Sequence, residues 1–175
     1  MSEQPRLVID TSVVLNFFER VTSFREILQD FLFDNYEVFV PESVIKEATS
    51  SSKSSITMRE ITSKCKALVP DYDKHDPEFL SELGDRIDRG ETDVILCAIE
   101  LNCSISTDDL AAIKIAKQHD LSNFGTIAIL KQAYDEGELS PEEIGSVISE
   151  IQSKGGRFKN IKGMTFEEYY QQYLK

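Results

Sequence analysis

Leu7-Val8-Ile9-Asp10-Thr11-Ser12, near the start of the 175-residue chain, is a short apolar, partly β-branched run stopped by an acid. It has the length of a buried strand rather than a helix. Thr11 or Ser12 then suits the cap of a helix through Val13, Leu15, Phe17 and Phe18. Outward from there the same rhythm repeats. Phe24, Ile27, Leu28, Phe31 and Leu32 recur at helical spacing, and Val38-Phe39-Val40 forms a second brief strand ended by Pro41. Glu42–Ala48 reads as a short helix, with Pro41 near its first turn. The serine-rich stretch Thr49–Ser55 reads as a mobile loop.

Helical patterns follow at Ile56–Leu68 and Glu78–Asp88, the second broken by Gly90. Glu91–Leu101 then opens a helix apolar nearly all round, which should be buried. Cys103-Ser104-Ile105-Ser106 reads as a further strand, and Thr107-Asp108-Asp109 starts the next helix. Gly125 precedes another that runs to Glu136. Ser140-Pro141-Glu142-Glu143 carries a capping serine, a proline at the first helical position and a glutamate at the third. Gly155-Gly156 ends that helix, and Thr165 caps a last one. Short strands alternating with helices predict an α/β fold, a three-layer α/β/α sandwich around a mostly parallel sheet. The domain is expected over residues 1–160, with 161–175 a helical tail whose Phe166, Tyr169, Tyr170 and Tyr173 pack on the core or on a partner.

The acids outnumber the bases, 31 to 19, for a formal net charge of -12. That balance opposes gripping nucleic acid by bulk electrostatics, unless divalent cations neutralise an acidic cluster. The three cysteines lack C-x-x-C spacing and read as reduced thiols. No apolar run approaches the roughly 20 residues of a membrane span, and the N-terminus lacks a signal-peptide layout. A cytoplasmic location without membrane attachment is expected.

In open α/β sheets ligands bind beyond the carboxyl ends of the strands. Asp10 sits at one such end, and Asp108 and Asp109 at another. Glu47 lies on the helix after the second strand, and Glu91 and Asp93 open the apolar helix. Each acid alone has an ordinary role: a helix cap for Asp108 or Asp109, a dipole partner for Glu91 and Asp93, a solvated surface for Glu47. Asp10 is harder to dismiss, since an acid ending a buried strand is costly unless paired, capping or bound to metal. Converging carboxylates raise one another's pKa, and oxygen ligands select hard ions such as Mg²⁺ or Mn²⁺. There is no phosphate-binding P-loop, dinucleotide fingerprint or nucleophile elbow. His75 and His119, without partners at metal-ligand spacing, read as surface residues.

Five segments in order resemble the PIN-domain family, in its prokaryotic VapC-like branch: LVIDTSVVLNF, VFVPESVIKEAT, RGETDVILCAIELN, SISTDDLAAIKIAKQHDL and GTIAILKQAYDEGELSPEEI. The resemblance runs from Leu7 to about Phe158. It implies a metal-dependent endoribonuclease acting on single-stranded RNA, with Mg²⁺ or Mn²⁺ as cofactor. It further implies either the toxin of a toxin–antitoxin pair, with an antitoxin partner, or a housekeeping RNA-processing enzyme, and a homodimer. The competing class is a non-catalytic PIN-like interaction module. By position, Asp10, Glu47 and Asp93 match the family's catalytic acids, with Glu91 in support. Asp108 and Asp109 both fit the last acid, and Thr11 or Ser12 fits the small hydroxyl residue beside the first, toward substrate. Lys154, Arg157, Lys159 and Lys162, with Arg86 and Arg89, are the bases available to follow an RNA backbone.

Overall fold

Strand β1 (Arg6–Ile9) is buried from Leu7 to Ile9 and stands in the middle of the sheet. The computed structural model describes residues 3–50, 55–158 and 164–174. Among these, four strands form one sheet in the order β3-β2-β1-β4, every pairing parallel. β2 (Glu37–Pro41) and β4 (Ser104–Ser106) flank β1, with Val8 opposite Phe39 on one side and Ile105 on the other. Because all strands run the same way, Asp10, Glu42 and Thr107 leave the sheet at the same edge. That edge is where the acids gather.

Among the described residues, ten α-helices flank the sheet in the three-layer α/β/α arrangement. The buried helix α6 (Arg89–Leu101) packs along β1, β2 and β4 and touches α3 (Glu42–Ser50), α5 (Pro77–Arg86) and α7 (Leu110–Gln118). Its Val94, Ile95 and Leu96 are essentially inaccessible, each contributing roughly 1.5–3 kcal/mol of apolar burial. A second group packs together: α2 (Arg25–Asn35), α8 (Thr126–Asp135), α9 (Pro141–Ser153) and the π-helical turn Asn16–Arg20. α9 begins with the Ser140/Glu143 capping box expected from its sequence. No helix among the described residues is long and apolar enough to cross a membrane.

Several boundaries differ from the sequence expectation. Asp10 itself, not Thr11 or Ser12, caps α1 (Thr11–Leu15), accepting the Val13 N–H. The predicted helix Ile56–Leu68 is α4 (Met58–Lys64) followed by strand β3 (Lys66–Leu68), which pairs with β2 through Val40 and Ala67. Three residues on a half-exposed sheet edge carry too little alternation to announce a strand. Gly90 does not break a helix: α6 starts at Arg89 under a capping box of Asp88 and Glu91. Pro41 lies inside β2.

Elsewhere, Thr49 and Ser50 close α3 with hydroxyls donating to Ile45 and Lys46 carbonyls, while Ser51–Ser54 of the predicted loop lie outside the described residues. His75 is not a surface residue. Its side chain is 8% exposed and its Nε2 lies 2.8 Å from Glu100. His119 is exposed and stacks on Phe79, which also touches the His75 ring. Burial pushes the Cys65 and Cys97 thiols up to about 12, so both stay protonated. In the tail, α10 (Phe166–Tyr169) packs on α9, with Phe166 buried against Tyr134. Lys159, Lys162 and the Tyr173 side chain fall outside the described residues.

Candidate active site

Asp10 is 4% exposed, so its carboxylate must find its partners inside the protein. Oδ1 accepts from the Ser12 hydroxyl at 2.7 Å and the Val13 N–H at 3.2 Å, and Oδ2 accepts from the Thr107 hydroxyl across from β4. These bonds favour the charged form, yet burial dominates and the Asp108 charge adds to it. The carboxyl is raised from 3.8 to about 6.

Beside it opens a cleft of about 260 Å³ lined by Asp10, Glu47, Asp88, Glu91 and Asp109, with Thr11, Ser12, Leu15 and Arg20. Glu47 reaches it from α3 and accepts from the Thr11 hydroxyl at 3.0 Å. Glu91 reaches it from the first turn of α6, where it accepts the Asp88 N–H at 3.1 Å. Burial, and then the Asp88, Asp109 and Asp10 charges, raise Glu91 from 4.5 to about 7, against the Asp88 hydrogen bond. Gly90 permits the approach of α6 to α3, because a Cβ there would stand 2.9 Å from Glu47 Oε2 and 3.4 Å from Asp88 Oδ1.

The two acids after β4 divide the work. Asp109 caps α7 through the Ala111 and Ala112 N–H groups at 2.8 and 3.0 Å and lines the Asp10 cleft. Asp108 lines a separate pocket but is held close behind the site. It accepts from the Thr126 N–H (2.8 Å), the Thr126 hydroxyl (2.6 Å) and Asn16 Nδ2 (3.2 Å). Asn16 Oδ1 in turn accepts from Arg20 at 2.9 Å. Burial raises the Asp108 pKa, against the Thr126 bonds and the Arg20 charge.

The structure does not bring Asp93 to this cleft. Asp93 is 2% exposed and takes the Ser43 hydroxyl at 2.5 Å, the Tyr72 hydroxyl and Arg89 Nε at 3.5 Å. Residues 91 and 93 are about 200° apart around a helix at 3.6 residues per turn, so only one of them can face Asp10. Thr11 and Ser12 line the cleft as donors to Glu47 and Asp10. Among the expected bases, Arg86 pairs with Glu82, Lys154 bonds Glu150 and the Arg20 carbonyl, and Arg157 lines the Asp108 pocket. Asp88, Arg20 and Asn16 belong to the site without having been expected there. The Asp88-x-x-Glu91 capping signature is readable in the sequence; the reach of Arg20 and Asn16 depends on the π-turn, which has no clear sequence mark.

Among the described residues, no three His, Cys, Asp or Glu side chains are closed around a common point as metal ligands. Each acid is drawn aside by its own donor: Thr107 and Ser12 for Asp10, Thr11 for Glu47, the Asp88 N–H for Glu91, and helix amides for Asp109. The donor set is nonetheless all oxygen and mutually repelling, which suits a hard divalent cation.

A stability consequence follows for the metal-free protein. Asp10 and Glu91 titrate higher folded than unfolded, so between pH about 4 and about 7 the native state holds protons that the unfolded chain has released. Stability contributed by these groups is therefore present at low pH and lost as pH rises through that window. At about 1.4 kcal/mol per pKa unit, Asp10 alone accounts for up to roughly 3 kcal/mol. Scanning fluorimetry should show the metal-free protein melting lower at about pH 7.5 than at about pH 5, with the slope flattened in Asp10→Asn. A melting point that climbs steadily over that range would contradict the raised carboxyls.

A family model described as a PIN domain matches residues 6–162. A search of curated proteins finds no match to the chain. PIN domains are generally nucleases and usually bind divalent metals.

Proposed function

We propose, from the premise that this chain belongs to the PIN-domain family, that it is a divalent-cation-dependent endoribonuclease hydrolysing phosphodiester bonds of single-stranded RNA. The observation that carries this is the cleft that five carboxylates line, two of them with pKa values raised to about 6 and about 7. Asp10, Glu91 and Asp109 supply the oxygens that would hold Mg²⁺ or Mn²⁺. When bound, such an ion polarises a phosphate oxygen and acidifies a water for attack. Glu91, its carboxyl raised to about 7, would hold such an ion in its ionised form. Glu47, held by Thr11, orients the attacking water, and Arg20 faces the phosphate as the only cation lining the cleft among the described residues.

Internal cleavage of unstructured RNA by the purified protein, with Mn²⁺ or Mg²⁺ and with a chelator, tests the proposal. Glu91→Gln should lower the rate about a hundredfold or more, in line with the loss of a group stabilising the transition state. Cleavage that persists in chelator, or is equal in Glu91→Gln, would remove the cleft from the mechanism.

One observation favours a second reading, a non-catalytic PIN-like interaction module: the acids are tied to donors rather than closed around a point. A protein that cuts no RNA and whose melting ignores Mn²⁺ would establish it. Toxin and housekeeping roles share the same chemistry. A small DNA-binding antitoxin encoded beside this gene, relieving growth arrest, would select the first. A cytoplasmic homodimer is the assembly proposed with either.

A further inference from the structure

A second, larger groove of about 780 Å³ adjoins the acidic cleft, and Glu47 and Asp88 line both. Its volume falls within the roughly 300–1,000 Å³ of small-molecule sites. α3, α4, β3 and the first turn of α6 form its walls. Ile45, Met58, Ala67 and Val69 give it an apolar surface, and Met58 and Val69 are 58% and 60% exposed, two of the most exposed large hydrophobics described. Such side chains left open beside a reaction site call for an apolar or aromatic occupant.

Arg89 marks the rim. Its guanidinium lies 5.2 Å from the centre of the Tyr72 ring and its Nε is 3.5 Å from Asp93, whose other oxygen takes the Ser43 hydroxyl. The side chain is nonetheless 73% exposed, and it lines the groove while Tyr72 does not. A planar cation is therefore held beside a ring while staying largely open along the groove that it lines. Guanidinium planes stack well on nucleobases. The remaining lining includes Glu42, Glu47, Asp88 and Asp93, with Lys46 as the other cation. That balance repels a phosphate and accepts a neutral ring.

We propose that this groove is the subsite for one unpaired nucleobase adjacent to the scissile phosphate, stacked on Arg89 and packed against Met58 and Val69. The phosphate belongs in the acidic cleft, where a cation offsets the charge, and the base in the groove next to it. Asp93 acts here as a positioning residue for Arg89. The inference rests on the RNA-cleaving function proposed above, and two measurements separate their fates.

The first needs no cleavage. Met58 is one of three methionines, so methyl-labelled methionine gives few signals in the full chain, assigned with Met58→Leu. Titration with the four free nucleosides should move the Met58 signal with at least one of them and not with ribose. A signal still under all four overturns the subsite and leaves the groove to a protein partner. The second uses RNA that the enzyme cuts. An abasic nucleotide at one position flanking the cut should lower kcat/KM about ten- to hundredfold, as the loss of one stacked base does, with abasic sites farther away having little effect. Arg89→Ala should cost a similar factor in KM, not add to the abasic loss, and not be rescued by Arg89→Lys, which keeps the charge but not the plane. A flat abasic profile overturns the subsite while the nuclease stands. A Met58 shift with no RNA cut keeps the groove as a nucleobase site and overturns the nuclease.

Discussion

Asp10→Asn should abolish RNA cleavage and, at neutral pH, raise the melting temperature of the metal-free protein. The two effects have one cause. The native fold holds a carboxylate with 4% exposure at the end of a buried strand, beside the Asp108 charge, and pushes it up to about 6. Ionising it at neutral pH costs up to roughly 3 kcal/mol, at about 1.4 kcal/mol for each tenfold change in its proton equilibrium. Asparagine removes that charge and keeps an oxygen for the Ser12 and Val13 donors, while the Thr107 hydroxyl can turn to accept from the new amide. Part of the gain is offset by weaker hydrogen bonds, leaving about 1–2 kcal/mol, or roughly 2–8 °C for a domain of this size. Cleavage should fall by about a thousandfold or more, because the loss reaches both cation binding and its orientation. Matched melting curves and cleavage rates check both halves. A variant that loses activity and also melts well below the wild type would place Asp10 among structural residues.

Gly125→Ala should damage both the fold and the site. A Cβ at 125 would lie 2.7 Å from Asp108 Oδ1 and 2.9 Å from the Thr107 carbonyl oxygen. The contrast with Gly90 is physical. There the nearest atom is the end of the long Glu47 side chain, held by a single hydrogen bond from Thr11, which can shift at lower cost. At 125 one neighbour is backbone, and the other is a carboxylate fixed by Thr126 and Asn16. Crowding of this kind costs about 1–3 kcal/mol, and the strain should displace Thr107, the donor to Asp10. Chemical denaturation should show the stability loss, and cleavage should fall with it. Full stability and full activity would mean that the loop after Phe124 yields freely.

Much of the fold is legible in the sequence because local signals agree with one another. Leu7–Ile9 ends in an acid, α6 is apolar on nearly every side, and Ser140-Pro141-Glu142-Glu143 is a capping box with proline in the first turn. The edge strand β3 is hidden, since its pairing with β2 supplies what its three residues do not show. The acids Asp10, Glu47, Glu91 and Asp109 do meet, as strand ends and first helical turns on one sheet edge allow. Asp93 fits the family pattern by its place in the sequence. The helical period turns it from Glu91 by more than half a circle, toward Ser43 and Tyr72. Asp108 and Asp109 are inseparable in sequence, yet Asp109 caps α7 and lines the cleft while Asp108 accepts from Thr126 at the start of α8. Arg20 ends the π-turn, which packs on α2 and α9 and carries no local sequence mark.

Calorimetric titration of Mn²⁺ into the metal-free protein, in two buffers of different ionisation enthalpy, reads the acidic cleft directly. With Asp10 near 6 and Glu91 near 7, binding at about pH 6.5 should expel about one proton per chain, and Asp10→Asn should weaken it sharply. Mn²⁺ that does not bind, or that binds equally well to Asp10→Asn without releasing protons, would contradict a cation site in this cleft.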